Sequence, residues 1–599
     1  MHSVVIHQHL YQPPREDPWL EVVQPEPSAA PDHDWNARIN RECYARLAAA
    51  EAHLRDERAA ARDPDARAGL ARIVNLYGWC SFDVGATLCE WLEAEAPATL
   101  AAMQAGDAAS VRRWGHGNAI AAPYHHIILP LASPRERRTE IRWGIADFRR
   151  RFRREPEGMW LPECAVDDDT LNTLIEEGIT FTILAPYQVH GHQGTGMPVQ
   201  WRGANNRTIA ILPYDGSLAG DVAFGGLLQN APALAHRLTA RHEHQDPAHN
   251  RCTTLATDGE TFGHHHKGGE STLTEALAMA MRQPGTRVTN AAAMMAMHPP
   301  TNTVALVSPS AWSCAHGVER WRSNCGCRLD HHKAPAQQWR GPLRTALTAL
   351  SQHGHEVFER EGRTLFRDDP WDVRDRYGDV VSRDGETLVA FARHAVHEQS
   401  TSQQVQRAQE LLELERALLR TFTSCAWFFD EVDRLEVRQV LRYAARAIEL
   451  TGLASRLTPE FVQWLASATS GAPNAGSASE LFVREALPHH DAAWCAAAAA
   501  IASAAANLPQ SRIATYDVAT IARADNVWLT TLVHRRTGAI TRLTGSTHGA
   551  GPSLTVRLSM EHAEPGAERE INVHEFPDAI ARVILTPGAL SDEAMLSTR

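Results

Sequence analysis

The sequence predicts an α/β protein: a parallel α/β sheet or barrel first, an α-helical domain next, and a small β-rich module last. Three observations predict this. In the first half, apolar runs of strand length alternate with longer stretches of helical period, as parallel βα units do. After about residue 300 a sustained 3.6-residue periodicity takes over. Beyond about residue 525 short β-rich runs replace it.

Residues 3–9 (SVVIHQH) give the first strand, and a helix is expected over 35–54. Residues 157–162 (EGMWLP), 181–186 (FTILAP), Thr208–Pro213 (TIAILP) and 253–257 (TTLAT) read as further buried strands. Helical stretches at 134–154 and 168–177 lie between them. The later helices are expected over 335–352, 404–422 and 430–451. A linker is expected at 471–479 (GAPNAGSAS), from its small residues and proline. The alanine-rich run 495–508 is too short to span a bilayer and reads as a packed helix. Strands at Val527–His534 and 553–559 close the chain.

A chain of 599 residues is too long for one core, so two or three domains are expected. The net charge of −12, with no Lys/Arg-rich run, argues against a nucleic-acid partner. The opening MHSVVIHQH lacks the basic and apolar segments of a signal peptide, and nothing suggests a membrane partner. Ten scattered cysteines do not form a disulfide framework, which fits a reducing cytoplasm.

Polar constellations follow the strand ends, where barrels carry their chemistry. In WLPECAVDDD, Glu163 follows an apolar run with Trp160 three residues before it. An aromatic face supports a pyranose while a carboxylate attacks the anomeric carbon, although Glu163 could equally cap the next helix. In TTLATDGETFGHHH another strand ends in Asp258 and Glu260, with Gly259 between them and His264–His266 after. Two carboxylates on separate strand ends suit glycosidic bond cleavage. His7 and His9 share one face of the first strand, suited to sugar hydroxyls or to zinc. His116, His125 and His126 flank a further apolar run. Cys314, Cys325 and Cys327, with His316, are zinc-type ligands. Their Cys-x10-Cys-x-Cys spacing is not a familiar finger or ribbon, so buried structural thiols are expected.

HQHLYQPP, GHGNAIAAPYHHIILPL, WLPECAVD, ATDGETFGHHH and SAWSCAHGVERWRSNCGC stand in the order of the conserved regions of glycoside hydrolase family 57. The sequence resembles that family of α-amylases, 4-α-glucanotransferases, branching enzymes and amylopullulanases from Val4 to about residue 330. The helices to about residue 455 are similar to the subgroup with an additional C-terminal domain of unknown function. The resemblance implies an incomplete (β/α)7 barrel (residues 1–300), a helical domain closing over the site (301–470), and a terminal linker and helical/β-rich module (471–599). It implies Glu163 as nucleophile and Asp258 as proton donor of a retaining enzyme acting on α-linked glucans. The implied substrate-binding set is His7, His9, Asn118, Trp160, Glu260, His264, Trp312, His316 and Trp321, with no metal ligand and no cofactor. Trp312 to Trp321 would lie on the helical part. Two departures fall where substrate should lie. Asn118 stands where many members have a glutamate, and Leu10 and Tyr11 are inserted between His9 and the Gln12–Pro13 pair. Two rivals are a metal-dependent carbohydrate enzyme on a related barrel, deacetylase- or α-mannosidase-like, using His7, His9 and His264–His266, and a non-catalytic glucan-binding protein.

Overall fold

A computed structural model gives the fold and describes residues 1–55, 70–191, 195–240, 250–329, 337–470, 476–487, 492–549, 553–561, 568–578 and 580–581. The chain forms two compact units, neither continuous in sequence. The first comprises Met1–Pro13, Trp35–Leu329 and Thr423–Phe428; the second comprises Pro14–Asp34, Asp330–Phe422 and Phe429–Arg599.

The first unit is a barrel-like α/β fold built around the strand His2–Leu10, buried at every position. Both its edges are paired, so it carries the continuous Val4-Val5-Ile6 core run of a central parallel strand. Arg251–Asp258 runs parallel along one edge. Thr286–Thr289 and Ser81–Val84 share the other. Parallel contacts continue outward by single bridges: Phe82 to Ala119, Ala121 to Met159, and Gly158 to Phe181. Strand Phe181–Leu184 then pairs parallel with Thr208–Pro213. Just beyond that strand, the Asp215 N–H donates to the Thr254 carbonyl at 2.8 Å, back on the Arg251–Asp258 strand. Helices such as Pro134–Phe152 and Asp168–Glu176 connect the strands. Ser133 and Asp167 cap these two helices by accepting from Glu136 N–H and Thr170 N–H, which is why they start where they do.

Two readings need correcting here. The helix expected over 35–54 runs as Trp35–Ile39, a π-turn Asn40–Tyr44 and Ala45–Ala49, and gives way to the strand Glu51–Arg55. Residues 157–162 make only single bridges at Gly158 and Met159, and the chain then turns through Pro162–Cys164. Pro162 has no N–H for a ladder, so the strand ends there.

The second unit packs helices Arg340–Leu365, Ser402–Arg420 and Leu435–Leu450. A six-stranded antiparallel sheet, from Arg512–Ile513 to Arg569–Asn572, lies against the helix Ala492–Ala505. Val527–His534 is one of its central strands, and 553–559 appears as Thr555–Met560. The alanines from Ala496 to Ala500 are buried, and their small side chains let the sheet approach. The start of the helix expected at 335, and the linker at 471–475, lie outside the described residues. Among the described residues no helix is long and apolar enough to cross a membrane.

Candidate active site

His7, Gln8 and His9 are polar yet buried on the central strand, so each must find partners in the interior. Asp83 supplies them for both histidines. It sits on the adjacent strand Ser81–Val84, where His9 pairs with it in register. His7 Nε2 donates to Oδ1 at 3.1 Å and His9 Nδ1 to Oδ2 at 2.9 Å. Burial works against charge on His9, but Asp83 outweighs it and lifts the imidazole to about 9. For His7 burial wins and the pKa falls. His9 Nε2 lies 3.0 Å from His126 Nε2, and His126 Nδ1 lies 2.6 Å from Ser424 Oγ. Burial, with His9 beside it, pushes His126 well below the usual histidine range. The protonated His9 therefore donates to a neutral His126, which donates onward to Ser424.

Asp258 ends its strand half-buried, opposite His9 in register. Desolvation is the largest effect on its carboxyl. The attraction of His9 is outweighed by desolvation together with Glu260, Glu163 and Asp83, and the pKa rises to about 7. Gly259 follows because nothing larger fits: a Cβ there would stand 2.1 Å from Leu10 Cδ2. Glu260 is buried, accepts from Tyr44 Oη and lies 3.5 Å from Gln12 Nε2; burial raises its carboxyl as well.

Glu163 sits in the turn Pro162–Cys164 at φ 58°, a left-handed conformation uncommon outside glycine. Such strain, of order 1–3 kcal/mol, persists where surrounding contacts impose it. The Trp312 N–H holds the Glu163 carbonyl at 2.9 Å. Trp312 Nε1 at 3.1 Å and Ser313 Oγ at 2.5 Å both donate to Glu163 Oε2. The carboxylate is thus aimed by a loop about 150 residues downstream.

The other predicted residues are placed as follows. Trp160 is fully buried, and His7 and His9 stack on its ring with centroids at 4.8 and 5.2 Å. Trp312 meets it edge-on at 5.1 Å. The Trp160 ring therefore supports the histidines and has no exposed surface for the expected stacking on a sugar. Asn118 is buried, accepts from Ser110 Oγ at 2.6 Å and donates to the Tyr77 carbonyl at 2.8 Å, tying the barrel wall. His264 bonds Glu42 at 2.6 Å. Among the described residues His7, His9 and His264–His266 form no converging ligand group. His316 is exposed beside Cys327, and Trp321 is fully buried. Trp312 to Trp321 belong to the unit of the strands, not to the later helices as expected.

Sequence reasoning missed Asp83, Ser313, Ser424, Tyr44 and Gln12. Asp83 left a signal: it is the one carboxylate in the apolar run CSFDVGA. Ser424 left none, because no local pattern announces a partner 298 residues from His126. Tyr11, one of the two inserted residues, is half-buried and stacks on His126 at 3.9 Å.

A family model described as glycosyl hydrolase family 57 matches residues 6–307, and one described as a domain of unknown function (DUF3536) matches residues 336–537. A probable 1,4-alpha-glucan branching enzyme of Mycobacterium tuberculosis is 29% identical over 101 residues, 14% of this chain. The chain covers 19% of the length of that curated relative. The crystal structure of an exo-type maltose-forming amylase from Pyrococcus sp. ST04 matches 78% of this chain and 82% of its own, at TM-score 0.59 and 14% identity, a likeness of fold. The branching enzyme of the same family type from Pyrococcus horikoshii matches 82% of this chain and 97% of its own, at TM-score 0.47 and 13% identity.

Proposed function

The chain belongs to glycosyl hydrolase family 57, and from that footing we propose that it is a retaining enzyme of α-linked glucans, with Glu163 as nucleophile and Asp258 as acid/base, on an incomplete (β/α)7 barrel. One observation carries the reading. Two carboxylates of the same site have opposite surroundings: Glu163 accepts from two donors, while Asp258 is desolvated and pushed up to about 7.

In the first step a Glu163 oxygen attacks C1 as the glycosidic C–O bond breaks, and Asp258 gives its proton to the departing oxygen. In the second step water or a sugar hydroxyl attacks C1. Asp258 takes the incoming proton and the Glu163 ester bond breaks. The His9 imidazolium, fixed by Asp83 and backed by His126, presents positive charge beside Asp258. The half-buried rings of Tyr11 and Trp312, rather than Trp160, carry the sugar faces. Asn118 and Trp321 act through packing. Glu260 keeps the Asp258 proton in place by like-charge repulsion. An oligo- or polysaccharide is the partner, and a cytoplasmic location completes the reading.

Incubation with maltoheptaose and with glycogen tests this, with products separated by length and their anomers read by NMR at early times. The expected first product keeps the α configuration and is absent with Glu163→Gln. A first-formed β anomer, or full turnover in that variant, would sink the assignment.

A further inference from the structure

Beyond the acidic pair, the loop that follows Trp312 gathers Cys314, His316, Cys325 and Cys327, and we propose that these four side chains bind a structural zinc ion. Their ligand atoms all lie within 4.8 Å of one another. Cys314 Sγ stands 4.0 Å from Cys325 Sγ and 3.8 Å from Cys327 Sγ. Cys327 Sγ stands 3.4 Å from His316 Nδ1. A tetrahedron with metal–sulfur arms of about 2.3 Å and metal–nitrogen arms of about 2.0 Å has S···S edges of about 3.8 Å and S···N edges of about 3.5 Å. The spacings of 4.0, 3.8 and 3.4 Å lie close to those edges. They are nearly twice a disulfide bond of about 2.05 Å, so the sulfurs are arranged around a point rather than joined.

The local chain is shaped for this. Gly326, at φ 82°, turns the backbone between two cysteines so that both thiols face inward. Gly317, at φ 78°, turns it just after His316, and a Cβ there would stand 2.8 Å from the Pro309 carbonyl oxygen. The Cys-x10-Cys-x-Cys spacing is unfamiliar because one loop supplies all four ligands, with a 3-10 turn Glu319–Trp321 inside it. The expectation of buried structural thiols fails on exposure: Cys325 and Cys327 are only half-buried, and His316 is exposed. Three thiols and an imidazole form the Cys3His set of closed structural zinc sites.

The consequence reaches Glu163, a step that rests on the proposed function. Trp312 and Ser313, which aim its carboxylate, lie directly before Cys314. A metal closing residues 314–327 fixes the loop on which both donors stand. The four ligands are therefore positioning residues for the nucleophile, and none of them touches substrate.

Metal analysis of the purified full chain, after exhaustive dialysis against metal-free buffer, is expected to give about one zinc per chain. A mercurial titration should release that zinc in step with thiol modification. Cobalt in its place should show thiolate-to-metal absorption that changes when Cys327→Ala removes one sulfur. Cys325→Ser and Cys327→Ala should each lower zinc content by more than about fivefold. Glu163→Gln should keep the zinc in full, so loss of glucan activity and loss of metal are read separately. Less than about a tenth of a zinc per chain from zinc-supplemented cells would overturn the proposal. So would a disulfide among these cysteines by mass spectrometry, or unchanged zinc in both cysteine variants. If those variants fail to fold, the mercurial release from the unaltered chain decides alone.

Discussion

In the unit built around the strand His2–Leu10, the half-buried Asp258 is pushed up to about 7; in the other unit Glu21, also largely removed from water, is held at about 2. Burial raises both carboxyls, and the neighbours decide the rest. Around Glu21, Arg416 and Arg536 outweigh burial, with Arg416 nitrogens at 2.9 and 3.0 Å. Glu413 is treated alike, bonded to Arg416, Arg536 and Tyr377 and held well below the usual carboxylate range. Around Asp258 the attraction of His9 is outnumbered by Glu260, Glu163 and Asp83. One unit neutralises Glu21 and Glu413 with arginines and is tied together through them. The other keeps an acid poised to lose a proton near neutrality, as catalysis needs and stability does not.

The largest expected effect breaks the comparison on the catalytic side. Glu163→Gln should lower turnover by at least about a thousandfold with far-UV circular dichroism unchanged, since the covalent step is lost. A residual rate within tenfold would mean that Glu163 is one more structural acid.

Asp258→Asn should cost about a hundred- to ten-thousandfold in turnover and yet stabilise the protein at alkaline pH. Below about pH 3 the acid is protonated folded and unfolded, so it contributes nothing. As pH rises towards about 7 the unfolded chain ionises freely while the folded one resists, and above that the penalty is full. Urea midpoints should therefore be higher for the variant at about pH 8, with the difference shrinking to nothing by about pH 3. A lower midpoint at pH 8 would contradict the raised pKa.

Glu413→Gln should do the reverse: destabilise by about 3–5 kcal/mol, because Arg416 and Arg536 lose a buried partner. The stability of the parent from Glu21 and Glu413 is present above about pH 4.5 and lost as pH falls towards about 2. Calorimetry of variant and parent at neutral pH measures the first effect. A loss below about 1 kcal/mol would show the network to be replaceable.

The smallest effect sharpens the comparison. kcat/KM should fall about tenfold per unit above about pH 7 as Asp258 ionises. Glu260→Gln, by removing one negative neighbour, should move that limb to lower pH by less than about one unit. An unmoved limb would assign it to another group.

The sequence discloses what repeats locally. The apolar run of residues 3–9, the strand ends at Asp258 and the ordered motifs point to the barrel and to Glu163. Roles set by distant partners stay hidden. Trp160 beside a carboxylate looks like a sugar platform until it is found fully buried, with His7 and His9 stacked on its ring. The stretch 35–54 has helical composition throughout, but its last residues pair with Leu70–Val74 as a ladder. Cys314 to Cys327 hide their convergence because the turns at Gly317 and Gly326 depend on backbone sign, not on residue pattern.

Ser424, the end of the histidine relay, arrives in Thr423–Phe428, long after Leu329 completes the rest of its unit. On a ribosome adding about 5–20 residues per second, the intervening stretch takes on the order of ten seconds. During that interval the nascent barrel holds Glu163 and Asp258 but lacks the hydroxyl that His126 meets. The unit is interrupted twice by segments of the other one, so no stretch of the gene encodes it alone. A chain cut anywhere before residue 424 leaves the histidine pair without that hydroxyl.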